Sequence, residues 1–115
     1  MKRKYILKKK SEVTSVFKSK KRHGNFCFII HYVLQKTTSH FKFALSVGKK
    51  YGKAYQRNLI KRRFRSIIAN YSLNLNPEMF FVIVIQPQAK GLNFQQLKNL
   101  FAQFALKINL LLFNN

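Results

Sequence analysis

Apolar positions change their period several times along the chain, and each change marks an element. Val13, Val16 and Phe17 recur at helical spacing after Ser11, a residue type that caps helices, which predicts a short helix ending near Lys18. Residues 20–25, with Gly24, read as a loop. Residues 26–33 are rich in Phe, Cys and Ile and predict a strand. Phe26, Phe28, Ile30 and Tyr32 share one face of it and Cys27, Ile29, His31 and Val33 the other, so both faces are expected to be covered. Residues 41–47 alternate cleanly, with Phe41, Phe43, Leu45 and Val47 inward and Lys42, Ala44 and Ser46 on an open face.

After Gly48 and Gly52 the period becomes helical over residues 54–71, with Ile60, Phe64, Ile67, Ile68 and Tyr71 as the buried stripe. Pro77 and Pro87 bracket residues 79–86, a continuous apolar run of the kind found in central strands. Asn93 and Gln96 have capping-box spacing, and Leu97, Leu100, Phe101, Phe104, Ala105, Ile108, Leu111 and Leu112 follow at helical spacing. This last helix is expected to pack on the sheet. The 115 residues suit one domain, and 47% hydrophobic and 15% aromatic content is ample for a core.

Charge changes the picture most. Lys and Arg number 23 against 2 acids, a net charge of +21, which points to an anionic partner. Nucleic acid is the first candidate; an anionic membrane surface and a simple lysine bias are the alternatives. The charges are clustered: ten lie within residues 2–22 and eight within residues 49–65. Residues 1–10 read as a flexible basic arm. With Glu12 and Glu78 the only acidic side chains, a carboxylate-built magnesium site and paired-carboxylate catalysis are both excluded, and no Asp is present to orient a catalytic His. His23, His31 and His40 lack metal-ligand spacing. The single Cys27 cannot close an internal disulfide, residues 1–10 lack the apolar core of a signal peptide, and the longest apolar run is too short to span a membrane. A cytoplasmic location fits these features.

On a helical wheel with Arg57 at zero, Lys61 falls at about 40°, Arg65 at about 80°, Asn58 at about 100° and Arg62 at about 140°. The apolar stripe occupies roughly 280° through 20°, so the basic arc adjoins the packing face and meets it at Arg57. Arg57, Lys61 and Arg65 repel at i,i+4, and no acid between residues 49 and 65 relieves them. Arg forms bidentate bonds with phosphate, and Asn58 can bond a phosphate, a 2′-OH or a base edge, a mixture that favours RNA over lipid.

The runs Ser46-Val47-Gly48-Lys49-Lys50, Gly52-Lys53-Ala54 and Arg57-Asn58-Leu59-Ile60-Lys61-Arg62, together with Arg65, resemble the signature of the ribonuclease P protein family. Element order extends the likeness to nearly the whole chain. The resemblance implies an α+β single-domain sandwich of the ribosomal-protein-S5-like type, with a mixed sheet of about four strands, three helices and a left-handed crossover through the basic helix. It further implies an accessory subunit that binds a catalytic RNA and the 5′ leader of precursor tRNA, with the RNA and its magnesium doing the cutting. No membrane and no obligate protein partner are expected. The implied contacts to the RNA subunit are Lys49, Lys50, Lys53, Arg57, Asn58, Lys61, Arg62 and Arg65. The implied leader cleft draws on Val13, Phe17, His31 and Lys42, with core packing equally open to Phe17. Leu59 departs from the family, which usually has Arg there, Tyr55 replaces a small aliphatic residue, and Val13 stands where Phe is frequent. A structural ribosomal-type RNA-binding protein is the rival reading; a protein-only nuclease is hard to support with two acids.

Overall fold

The run expected to be a central strand is central: β4 (Met79–Ile85) lies between β2 (Phe28–Leu34) and β3 (Lys42–Val47), and β1 (Arg22–Gly24) completes a sheet of order β1-β2-β4-β3. These are features of a computed structural model that describes residues 3–35 and 40–112. β4 pairs antiparallel with β2, from Phe28↔Ile85 to Leu34↔Met79, and parallel with β3, from Lys42↔Phe80 to Val47↔Ile85. The sheet is therefore mixed. Three helices surround it: α1 (Lys10–Lys18), α2 (Ala54–Asn70), which makes the crossover between the parallel pair, and α3 (Phe94–Lys107).

Both faces of β4 are covered, which is why its sequence is apolar without interruption. Met79, Phe81, Ile83 and Ile85 enter a large core with Phe28, Ile30 and Phe43 of the neighbouring strands, Ile60, Phe64, Ile67 and Ile68 of α2, and Leu97, Phe101 and Phe104 of α3. Phe28 meets Phe64 edge-on at 5.1 Å between ring centres and Phe104 at the same distance, so one fully buried ring joins the sheet to both helices. Phe80 and Val82 point the other way, into a smaller core with Val16 of α1 and Leu7, flanked by Val13, Val33, Ala44 and Val84.

Several local expectations give way. β1 occupies part of the segment read as a loop; its His23 and Gly24 pair with Ile30 and Ile29. A Cβ on Gly24 would lie 2.3 Å from the Phe28 carbonyl oxygen, so only glycine lets the two chains approach this closely. β2 starts later than the apolar run, leaving Phe26 72% exposed on the turn, where the Asn25 side-chain oxygen accepts from the Cys27 and Phe28 amides. The helix α1 begins at Lys10 with Lys9 as N-cap, so Ser11 lies inside it and caps nothing.

The basic arm is anchored over residues 5–7. Ile6 bridges to Phe43, the Leu7 amide donates to the Phe43 carbonyl at 2.9 Å, Leu7 is buried and Tyr5 stacks on Phe41 at 4.7 Å. Residues 1 and 2 lie outside the described residues. This segment and α1 also cover part of the β3 face expected to be open, making Ala44 a core neighbour, while Ser46 stays exposed as expected.

The capping box of α3 forms as read, with the Gln96 amide donating to the Asn93 side chain at 2.8 Å and the Asn93 amide to Gln96 at 2.9 Å. Its end does not: the helix stops at Lys107, and Asn109 adopts a left-handed conformation (φ 62°). The Leu110 amide reaches back to the Ala105 carbonyl at 2.8 Å, closing a Schellman turn that returns Leu110 and Leu111 to the core.

Candidate RNA interface

Lys53 sets the start of α2: its amide donates to Oε1 of Gln56 at 2.9 Å, folding the Gln56 side chain back over the first turn. Gly52 makes room for this fold. Its φ of 153° disfavours other residues, and a Cβ there would come within 2.2 Å of Gln56 Oε1. From this start the 3.6-residue period turns Ile60, Phe64, Ile67 and Ile68 into the core and leaves Lys53, Asn58, Arg62 and Arg65 exposed, with Arg57 and Lys61 half-buried at the rim. The arc inferred from the wheel is thus a surface. Lys49 and Lys50, in the 3-10 turn Lys49–Tyr51, continue it to a cleft at the end of the sheet that also includes Ser46, Gly48 and Pro87. All eight residues assigned to the RNA subunit contact fall on this one connected region of α2 and its approach.

Of the residues implied for the leader cleft, Phe17 and His31 meet on the opposite, α1-covered face of the sheet, whereas Lys42 lies on β3, across β4 from His31, beside a separate depression lined by Lys4, Lys9 and Glu12. Phe17 is 40% exposed, and its ring lies 4.8 Å from that of His31. Lys20 and Arg22 flank this pair in a shallow depression. Neither cation stands out in the sequence, because both belong to a run of basic residues; the turn after α1 and the β1–β2 pairing bring them to the rings. The His31 pKa lies below the usual histidine value, first because burial penalises the charged ring and then because Arg22 repels it. Val13 faces the small core, so it supports α1 more than it lines the depression. Lys42 pairs with Glu12 at 3.4 Å and lies over the Phe80 ring at 5.6 Å.

That pair engages one of the two acidic side chains. Glu78 lies just before β4, near the Phe80 that pairs with Lys42, and no cluster of three or more metal-ligating side chains occurs among the described residues. No helix among the described residues is long and apolar enough to cross a membrane.

The family model for ribonuclease P matches residues 1–109. The chain belongs to the ribonuclease P protein family. It is 72% identical over 115 residues to the ribonuclease P protein component of Phytoplasma australiense, covering all of both chains, and 44% identical to that of Acholeplasma laidlawii, covering 96% of this chain and 95% of the other. The fold is similar to the RNase P protein of Staphylococcus aureus, with a TM-score of 0.85 at 23% identity over 93% of this chain and 97% of that one. For the Thermotoga maritima RNase P protein the TM-score is 0.75 at 19% identity, over 84% and 91% of the two chains. The four-stranded mixed sheet with three helices is the family architecture, and the resemblance carried by residues 46–65 extends through the whole fold.

Sequence reasoning passed over a second cationic cluster. Arg63 falls at about 240° on the wheel, beyond the packing stripe from Arg57, and faces Tyr51 and Lys90 in a cleft that includes Leu59. Lys90 is isolated in sequence and gains its place only through the turn after β4.

Proposed function

We propose that this chain is the protein subunit of ribonuclease P, binding the catalytic RNA through α2 and its approach and the 5′ leader of precursor tRNA along the face shared by α1 and the sheet. The observation that carries this reading is the acid-free basic arc of α2, held by a core on one side and bare to solvent on the other, in a chain of this family. Arg57, Arg62 and Arg65 offer planar forks to phosphate, Lys49, Lys50, Lys53 and Lys61 add point charge, and Asn58 adds a directional donor and acceptor. The Phe17 and His31 rings beside Lys20 and Arg22 combine stacking surface with phosphate-seeking charge, which suits a single strand. Cleavage belongs to the RNA and its magnesium in this reading, consistent with the shortage of carboxylates. The protein contributes binding and placement, in the cytoplasm with the tRNA precursors.

Reconstitution tests the assignment. Adding the chain to its cognate RNA subunit and precursor tRNA at low magnesium should stimulate leader removal, and the double variant Arg57→Ala with Arg62→Ala should weaken binding to the RNA subunit more than to an isolated leader. A chain that binds RNA but never stimulates cleavage is a scaffold of the ribosomal type. Cleavage without the RNA subunit would reverse the assignment of chemistry to RNA.

A further inference from the structure

The cleft around Arg63 lies on the flank of α2 that the basic arc does not reach. Its inner wall is Tyr51, only 5% exposed, and the Lys90 ammonium lies 5.1 Å from the centre of that ring, held by a cation–π contact. Arg63 approaches from α2 closely enough to oppose the burial-driven rise of the Tyr51 pKa. Two cations from separate elements therefore share one concave surface, walled by the Tyr51 ring and Leu59.

Among the described residues neither cation has an ion-pair partner. Glu12 is engaged with Lys42 on the other face of the sheet. Glu78 stands before β4 whereas Lys90 follows its other end, and seven strand residues separate the two by about 20 Å. The described chain ends at Leu112, whose amide bonds Asn74, again near the start of β4. Like charges brought together without a counterion destabilise the protein alone, and an anion seated between them would reverse that. Arg presents a planar fork, Lys a point charge, and the lining adds the apolar Tyr51, Leu59 and Ile60 and the polar Gln56; a phosphodiester with its attached sugar suits this mixture of charge, apolar surface and hydrogen-bonding group. Between this cleft and the basic arc, α2 exposes Tyr55 (66%) and Leu59 (41%) as a ridge. RNA seated on that ridge would be gripped from both sides.

Resting on the assignment of α2 to the RNA subunit, we propose that Arg63 and Lys90 jointly clamp one backbone phosphate of that RNA, a second anchor on the opposite flank of the helix from Arg57, Lys61 and Arg62.

The test uses the full chain, the RNA subunit and an isolated leader oligonucleotide, with Arg63→Gln, Lys90→Gln and the double variant. Each single change should weaken binding to the RNA subunit about tenfold, the loss expected from one charge-assisted contact. The double variant should lose little more than either single, because both side chains hold one phosphate. Its log-affinity against log-salt slope should flatten by about 0.7–0.9, one phosphate's share. Leader affinity should stay constant, Arg63→Lys should recover part of the loss, and melting temperatures of the Gln variants at or above wild type should show intact folding. Wild-type affinity and slope in the folded double variant would overturn the proposal, as would fully additive losses or equal losses for leader and RNA subunit. If the wild-type chain fails to prefer the RNA subunit over unrelated RNA, the parent assignment falls and this clamp falls with it.

Discussion

Arg57 stands where the packing stripe meets the basic arc, and its two halves have opposed needs. Its Nε atom is buried and has no hydrogen-bond partner among the described residues. A buried donor left unpartnered costs about 1–3 kcal/mol, and because the residue as a whole is only half-buried the lower end applies, about 1 kcal/mol. Arg57→Met keeps the apolar stem against α2 and removes the orphaned N–H. The RNA-free protein should therefore become more stable, with a melting temperature higher by about 4 °C for a domain of this size. Binding should move the other way: losing a charge-assisted contact worth about 1.5–3 kcal/mol weakens affinity for the RNA subunit by roughly tenfold to a hundredfold. Calorimetric melting of the free protein, paired with filter binding at fixed salt, reads both effects in one variant. Arg57→Lys separates them further, since it lacks the Nε donor but keeps the charge; it should share the stability gain and retain part of the affinity. A lower melting temperature with unchanged binding would refute the reasoning and make Arg57 a packing residue.

Gly52→Ala should destabilise the fold by about 1–3 kcal/mol, from backbone strain at φ 153° and displacement of the Gln56 cap; a urea midpoint equal to wild type would show that the turn accommodates a side chain. His31 should impose a pH dependence: its folded pKa lies below the ordinary 6.5, so between the two values the unfolded chain binds more protons and stability rises with pH. The gain is complete above about pH 6.5 and is lost as pH falls through that window; a His31→Asn variant should flatten this part of the profile, and an unaltered profile would assign it to other groups.

How much of this was legible depended on whether one segment carried its own signal. The α2 stripe did, since Ile60, Phe64, Ile67 and Ile68 repeat at one period over 17 residues, and so did β4, whose both faces are buried. β1 carried none: three residues, Arg22, His23 and Gly24, form a strand because β2 offers an edge, not because they alternate. Ser11 failed as a cap because Tyr5, Ile6 and Leu7 dock beside β3 and fix where the chain can turn into α1, overriding a local preference. Helical spacing continued to Leu112 past the true end of α3, because Leu110 and Leu111 are buried by a turn at Asn109 and not by the helix. The candidate site divides the same way. The Arg57–Arg65 arc is a property of one helix and could be placed on a wheel, whereas the Tyr51, Arg63 and Lys90 cluster draws on three separated segments.

The central position of β4 also sets an order of events. Its partners are distant in sequence, with Phe28 meeting Ile85 and Lys42 meeting Phe80, and α2 lies in the connection between the parallel strands. Pairings of such long range form slowly, because each must close a large loop before it gains any contact. On the ribosome, α2 emerges before the strand that completes the floor beneath its apolar stripe. Until Met79–Ile85 is threaded between β2 and β3, a highly cationic helix has only part of its docking surface. The nascent chain thus carries most of its positive charge, all but Lys90, Lys98 and Lys107, before it carries the geometry that makes the attraction for nucleic acid selective. Ordering of the last third of the polypeptide is then the step at which indiscriminate affinity becomes recognition.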